Sequence, residues 1–230
     1  MKKELYARPY MRLKRVLDLL LTLLLSPLAL LIVSLCYAGI KLESHGPAFF
    51  VQERPGYKGK IFRIYKLRTM SVETERNGVP LSDMERMTRM GRVIRACSFD
   101  ELPQLYNVLT GDMSIVGPRP EMLENVDRYT REVPEFRYRQ QMKAGLTGLA
   151  QIEGKYNTSP KDKAILDLLY IENFSLAYDW KLILRTLTIF FRRDSTEGFD
   201  DKPMSCPKMR VEAEPDSSVE NAAGGRRVSK

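Results

Sequence analysis

Two adjacent carboxylates, Asp100 and Glu101, sit in the run Ser98-Phe99-Asp100-Glu101-Leu102-Pro103, just ahead of an apolar stripe at Leu102, Leu105 and Leu109 that stops at Gly111. Ser98 followed by Glu101 has the spacing of a capping box, so the pair is expected in the first turn of a helix. Unpaired amides and the helix dipole favour negative charge there, which would keep Asp100 ionised and would also favour a bound phosphate. Acidic residues decorate many helix starts without any catalytic duty, so the motif needs its surroundings. Arg95 lies about a turn upstream, Arg119 stands in the rigid corner Pro118-Arg119-Pro120, and Lys66 and Arg68 close an apolar and aromatic run. Paired carboxylates among cations suit chemistry on phosphate.

The elements that must position these groups follow from local pattern. Residues 48–54 and 61–68 are β-branched and aromatic around a turn with Gly56 and Gly59, which reads as a β-hairpin. Residues 71–82 read as a loop and 83–96 as a basic amphipathic helix. After Gly117-Pro118-Arg119-Pro120 a helix is expected over 121–142, interrupted by Pro134, with further helices over 164–173 and 178–193. The last carries Trp180, Leu182, Ile183, Leu187, Phe190 and Phe191 above Arg192 and Arg193, and suits either a core or a membrane interface. After Gly198 the composition is that of a disordered tail.

The 230 residues allow one domain with an appendage, and 43% hydrophobic with 29% charged residues exclude a wholly disordered chain and a multi-span transporter. Three scattered cysteines, Cys36, Cys97 and Cys206, argue against a disulfide framework, and the single His45 excludes a site that needs two imidazoles. The first 193 residues hold 31 basic and 21 acidic side chains, a net charge of +10, which points to anionic surroundings.

Residues 16–40 are almost continuously apolar, with Asp18 as the one charge, and a continuous helix of that length exceeds the ~30 Å hydrocarbon core of a membrane. A signal peptide fits poorly because the run is too long and no small-x-small site follows. Ser26-Pro27 near its middle predicts a kink, with the Ser26 hydroxyl available to a freed carbonyl, and each half is too short to span. Lys2, Lys3, Arg8, Arg12, Lys14 and Arg15 precede the run, and Lys41, Arg54, Lys58, Lys60 and Arg63 follow it, so the positive-inside rule wants both ends on the cytoplasmic side. From the segment itself, a kinked spanning helix and a re-entrant hairpin both stand.

In chain order, Ser26-Pro27, Lys66-Leu67-Arg68-Thr69-Met70, Asp100-Glu101-Leu102-Pro103-Gln104, Gly117-Pro118-Arg119-Pro120 and Gly145-Leu146-Thr147-Gly148 together resemble the bacterial sugar transferase family, in its small monotopic form. The resemblance covers about residues 8–193; Ala144 departs from the proline often found before that glycine, and the tail has no counterpart. It implies an α+β, mostly helical fold with a re-entrant membrane helix over residues 1–41, a catalytic domain with a small β-hairpin and amphipathic interfacial helices over 42–193, and a tail over 194–230. It implies transfer of a sugar phosphate from a UDP-sugar to polyprenyl phosphate, at the cytoplasmic face of the bacterial inner membrane, releasing UMP. Asp100 would be the nucleophile, Glu101 a ligand of Mg²⁺, and Arg95, Arg119, Lys66, Arg68 and the flanking Pro118 and Pro120 would bind substrate. Membrane lipids are further expected partners and nucleic acid is not; a homo-oligomer is compatible with the sequence. A membrane-tethered basic binding or scaffold module would account for the anchor and the charge, but leaves Asp100, Glu101 and the Pro-Arg-Pro corner without a task.

Overall fold

A computed structural model describes residues 9–154 and 158–190. Its longest element is helix α1, Pro9–Glu43, which stays helical on both sides of Pro27. Pro27 lacks the N–H that would bond the carbonyl of Leu23, and the strong helix formers on either side carry the helix past that one lost bond. Ser26 Oγ donates to the carbonyl of Thr22 at 2.7 Å, and Thr22 Oγ1 donates to that of Asp18 at 2.6 Å, so both hydroxyls are satisfied within the helix. The expected use of Ser26 on the freed carbonyl is therefore not what the structure shows.

Side chains three and four apart divide α1 into two faces. Met11, Lys14, Asp18, Thr22, Ala29, Cys36 and Ile40 form a buried stripe against the rest of the chain. On the opposite side Leu13, Val16, Leu20, Leu24, Leu28, Leu31, Leu35 and Leu42 are exposed. The helix is long and apolar enough to cross a membrane.

The expected hairpin is present as antiparallel β1, Phe49–Pro55, and β2, Ile61–Leu67, with Phe49 opposite Leu67 and Pro55 opposite Ile61. Period-2 alternation sends Phe62 and Ile64 inward and leaves Ile61 and Arg63 exposed. The expected loop after it contains a short ladder, β3, Glu75–Arg76, and β4, Val79–Pro80, around Asn77 and Gly78, both with positive φ.

The single helix expected over 83–96 is in fact two, α2, Asp83–Arg86, and α3, Arg89–Ala96. Each has its own cap: Ser82 and Glu85 make a capping box, and the Thr88 hydroxyl accepts from the Gly91 amide. Glu43, at the end of α1, accepts from the amides of Arg89 and Met90 at 2.7 and 2.8 Å, which fixes α1 to the start of α3. At Gly91 a Cβ would stand 1.9 Å from the carbonyl oxygen of Thr69, so the helix seats there only without a side chain.

A 3₁₀ turn, Phe99–Gln104, leads into α4, Leu105–Thr110, and then into β5, Met113–Val116. After α5, Leu123–Glu132, and a second 3₁₀ segment, Pro134–Gln141, the strand β6, Ala144–Thr147, returns parallel to β5. Helices α6, Leu149–Glu153, α7, Pro160–Asn173, and α8, Leu176–Phe190, complete the described chain. Phe62, Ile64, Val108, Met113, Val116, Met142, Tyr170 and Leu182 form the main core. A second cluster joins Cys36 and Ile40 of α1 to Ala48, Leu67 and Ile94. The chain is thus mostly helical with small sheets. Lys2, Lys3, Arg8, Phe191, Arg192, Arg193, Cys206 and the expected tail over 194–230 lie outside the described residues.

Candidate active site

Ser98 does not cap a helix: it sits in the left-handed region at φ 52° with no side-chain cap, and Phe99–Gln104 is 3₁₀ rather than α-helical. Pro103 is the physical reason, because it has no N–H to bond the carbonyl of Phe99 and disfavours α geometry at Leu102. The Glu101 carboxylate is instead drawn across the molecule to two cations. A non-glycine residue with positive φ costs free energy, and here it turns the chain from α3 into the carboxylate pair.

Lys66 Nζ, at the end of β2, donates to Glu101 Oε1 at 3.0 Å. Arg119 grips both oxygens of the same carboxylate, at 3.3 Å to Oε2 and by a shorter bond to Oε1. Burial alone would raise the pKa of Glu101, but the charges and hydrogen bonds of Arg119 and Lys66 pull it down to about 2. Glu101 is an anion at any working pH.

Asp100 differs. Burial first, and the neighbouring Glu101 second, push its pKa up, while Lys66, Arg95 and Arg119 oppose them. The sequence argument from the helix dipole predicted the opposite balance; with a 3₁₀ turn in place of an α-helical one, burial and the adjacent charge dominate. Among the described residues no hydrogen bond ties the Asp100 side chain. Arg95, exposed on α3, commits Nε to Thr69 Oγ1 at 3.0 Å, and among the described residues its two terminal nitrogens make no hydrogen bond.

The Pro-Arg-Pro corner is braced from behind. The Gly117 amide donates to the Thr147 carbonyl and the Gly145 amide to that of Pro118, each at 2.9 Å. A Cβ on Gly145 would come within 2.1 Å of the Gly117 nitrogen, and one on Gly148 within 2.2 Å of the Gly117 oxygen. The glycines of Gly145-Leu146-Thr147-Gly148 thus permit backbone contact with the corner. Arg139, paired with buried Asp167 at 2.7 Å, donates to the Arg119 carbonyl at 2.7 Å, and Arg54 donates to that of Pro120 at 3.3 Å. With its carbonyl held, Arg119 can aim its guanidinium at Glu101.

The structure brings Asp100, Glu101, Lys66, Arg95 and Arg119 together, with Pro118 and Pro120 shaping the corner. Arg68 is not among them: it is buried and spends its guanidinium on the Ser44 carbonyl and hydroxyl and the His45 carbonyl, at 3.1, 2.8 and 2.6 Å. It braces the link from α1 to β1. Ser26 and Pro27 stay within the helical run of α1. Arg54, Arg139 and Asn107 were missed by sequence reasoning. Asn107 donates to the Arg63 carbonyl at 2.7 Å and so ties α4 to β2. An asparagine inside a helix gives no local sign of a partner 44 residues away.

For a divalent ion the site offers the Asp100 and Glu101 carboxylates, and no group of three or more His, Cys, Asp or Glu placed to hold a metal ion occurs among the described residues. That set fits Mg²⁺, which takes one or two carboxylates and completes its shell with water and substrate phosphate oxygens. It does not fit an ion that needs a full protein cage.

An apolar helix long enough to cross a membrane is thus joined to a site of paired carboxylates and cations, an arrangement suited to a phosphate-bearing substrate at a membrane. The chain belongs to the bacterial sugar transferase family, whose model matches residues 9–193. It is 43% identical over 189 residues to a UDP-glucose:undecaprenyl-phosphate glucose-1-phosphate transferase of Caulobacter vibrioides, covering 79% of this chain and 71% of that protein. An uncharacterized sugar transferase of Bacillus subtilis is 42% identical over 177 residues, 77% of this chain and 86% of its own. A UDP-N-acetylgalactosamine-undecaprenyl-phosphate N-acetylgalactosaminephosphotransferase of Aeromonas hydrophila is 41% identical over 184 residues, and there the match spans 43% of the longer protein.

Proposed function

We propose that this protein transfers a sugar phosphate from a UDP-sugar to polyprenyl phosphate, giving a polyprenyl-diphosphate sugar and UMP. The observation that carries the reading is the asymmetry of the pair: Glu101 is clamped by Lys66 and Arg119, while the Asp100 carboxylate beside it, in a ring of cations, makes no hydrogen bond among the described residues. An Asp100 oxygen attacks the phosphorus that bears the sugar, its bond to the bridging oxygen breaks, and UMP departs with the electron pair. A polyprenyl phosphate oxygen then attacks the same phosphorus and releases the Asp100 carboxylate. Both substrates are anions, and a covalent relay brings them to one site in turn. The terminal nitrogens of Arg95 and the remaining N–H groups of Arg119 hold phosphate oxygens. Glu101, with Asp100 at its side, would hold Mg²⁺, which when bound would supply charge neutralisation on the diphosphate.

In this reading α1 is re-entrant and the catalytic domain lies on the cytoplasmic face of the inner membrane. Lys14, near one end of α1, pairs with Asp179, and Glu43, at the other end, caps α3, so both ends are bound to one body of protein. A spanning helix would put them on opposite sides. Cysteine labels at positions 3 and 58 should react from the same side of sealed vesicles; reaction from opposite sides contradicts the re-entrant reading. The reaction itself is tested by UMP release from UDP-sugars with purified protein, Mg²⁺ and polyprenyl phosphate. UMP should form with at least one UDP-sugar and stop in EDTA, whereas a full panel without UMP refutes the activity.

A further inference from the structure

Away from the carboxylate pair, the first turns of α1 border two unlike hollows that meet along Lys14 and Asp18. One is a cavity of about 300 Å³ bordered by Met11, Arg12, Lys14, Arg15, Asp18, Ser114 and Lys143; Lys14 is paired with Asp179 at 2.6 Å, and Arg12, Arg15 and Lys143 are the further cations of its wall. The Asp18 oxygens are already engaged, by Ser114 Oγ at 2.8 Å and the Ile115 amide at 3.2 Å. Among the described residues Arg15 bonds neutral acceptors, the carbonyls of Val108 and Leu109, which do not cancel its charge. The other hollow is an apolar groove of about 210 Å³ between α1 and α8, walled by Leu17, Leu21, Leu24, Ile115, Trp180 and Ile183.

A cationic cavity continuous with an apolar groove matches one kind of molecule, an anion with a hydrocarbon tail. We infer that this composite is a binding site for an anionic phospholipid, its phosphate among Arg12, Arg15 and Lys143 and one acyl chain between α1 and α8. Trp180, half-exposed on the groove wall, is the residue type that settles at the level where headgroup meets chain. The site is distinct from the reaction centre: Ser114 lies near the start of β5, and Gly117, where the Pro-Arg-Pro corner begins, is three positions further along, roughly 10 Å of extended chain. A bound phospholipid would hold the entry of α1 against α8 and set the depth of the molecule in the membrane. The inference rests on the membrane seat proposed for α1, and not on sugar transfer.

The test uses the full chain in detergent micelles with no sugar nucleotide, so its failure and a failure of UMP release are separate results. Phosphatidylglycerol and phosphatidylcholine with the same acyl chains are offered in equal amounts, and retention is read by native mass spectrometry. Retention should favour phosphatidylglycerol by about fivefold at low salt, the effect of one or two basic contacts, and the preference should shrink as salt is raised. The double variant Arg12→Gln, Lys143→Gln should bring the ratio close to one. Should that variant fold poorly, the salt series on the unmodified protein gives the same answer. Phosphatidylglycerol with a photoreactive acyl chain should label residues 17–24 or 176–183. Equal retention of the two lipids, a preference untouched by salt, or labelling confined to other segments would overturn the site. Displacement by equimolar polyprenyl phosphate would make it an acceptor site instead, and displacement by millimolar inorganic phosphate would reduce it to a phosphate pocket without a tail; either result refutes the inference.

Discussion

Two carboxylate sites in this molecule use the same residue types to opposite ends. Asp167 meets Arg139 through Nε at 2.9 Å and a terminal nitrogen at 2.7 Å, both side chains are almost wholly buried, and Arg139 spends a further bond on the Arg119 carbonyl. Asp100 and Glu101 lie among three cations, and among the described residues only Glu101 is bonded. The first site is closed on itself and can only hold the chain in place. The second leaves one carboxylate and several N–H donors uncommitted, which is the condition for acting on another molecule. The difference lies in how completely the partners satisfy one another, and residue type alone does not reveal it.

The contrast is broken most directly by making the same substitution in both sites. Asp100→Asn should lower turnover by at least about 10³-fold, because an amide cannot form the acyl phosphate, with the melting temperature unchanged. Asp167→Asn should do the reverse: leaving the buried Arg139 without a countercharge should cost about 3 kcal/mol of stability, read by chemical denaturation. Any activity lost there should follow the loosened Arg119 corner. Comparable stability losses in both variants would erase the distinction between an open and a closed site.

A smaller effect sharpens the role of the cations. An acid whose pKa is raised is ionised only at higher pH, so the acidic limb of the kcat/KM profile should lie above the ordinary aspartate range. Arg95 is one of the charges that pull Asp100 downward, so Arg95→Met should move this limb further up in pH. Glu101, at about 2, should not contribute to the limb. A limb that stays in place in Arg95→Met would place Arg95 outside the electrostatic reach of the nucleophile.

The carboxylate pair, Lys66 at a strand end, the Pro-Arg-Pro corner and the apolar α1 were legible because each is a local pattern. The braces were not. Arg54 and Arg139 act on backbone carbonyls of the corner from 66 and 20 residues away, and nothing in their own neighbourhoods marks those targets. Arg68 looked like a partner of Lys66, but the loop at Ser44 and His45 claims it. The four-residue strands β5 and β6 are too short to show alternation, and their pairing depends on Gly117 and Gly145 meeting backbone to backbone. Ser98 and Glu101 carry the spacing of a capping box, and Pro103, two residues further on, prevents the α-helical turn that the box would cap.

The central claim, that the unbonded Asp100 carboxylate takes up the sugar phosphate, is tested by a rapid quench with UDP-sugar labelled in the phosphate next to the sugar, Mg²⁺ and no lipid acceptor. The account predicts a burst of UMP approaching one equivalent and a labelled peptide spanning residues 98–104, both absent in Asp100→Asn. Turnover that appears only with both substrates present, with no UMP burst and no labelled peptide, would contradict it and leave direct transfer between the two phosphates.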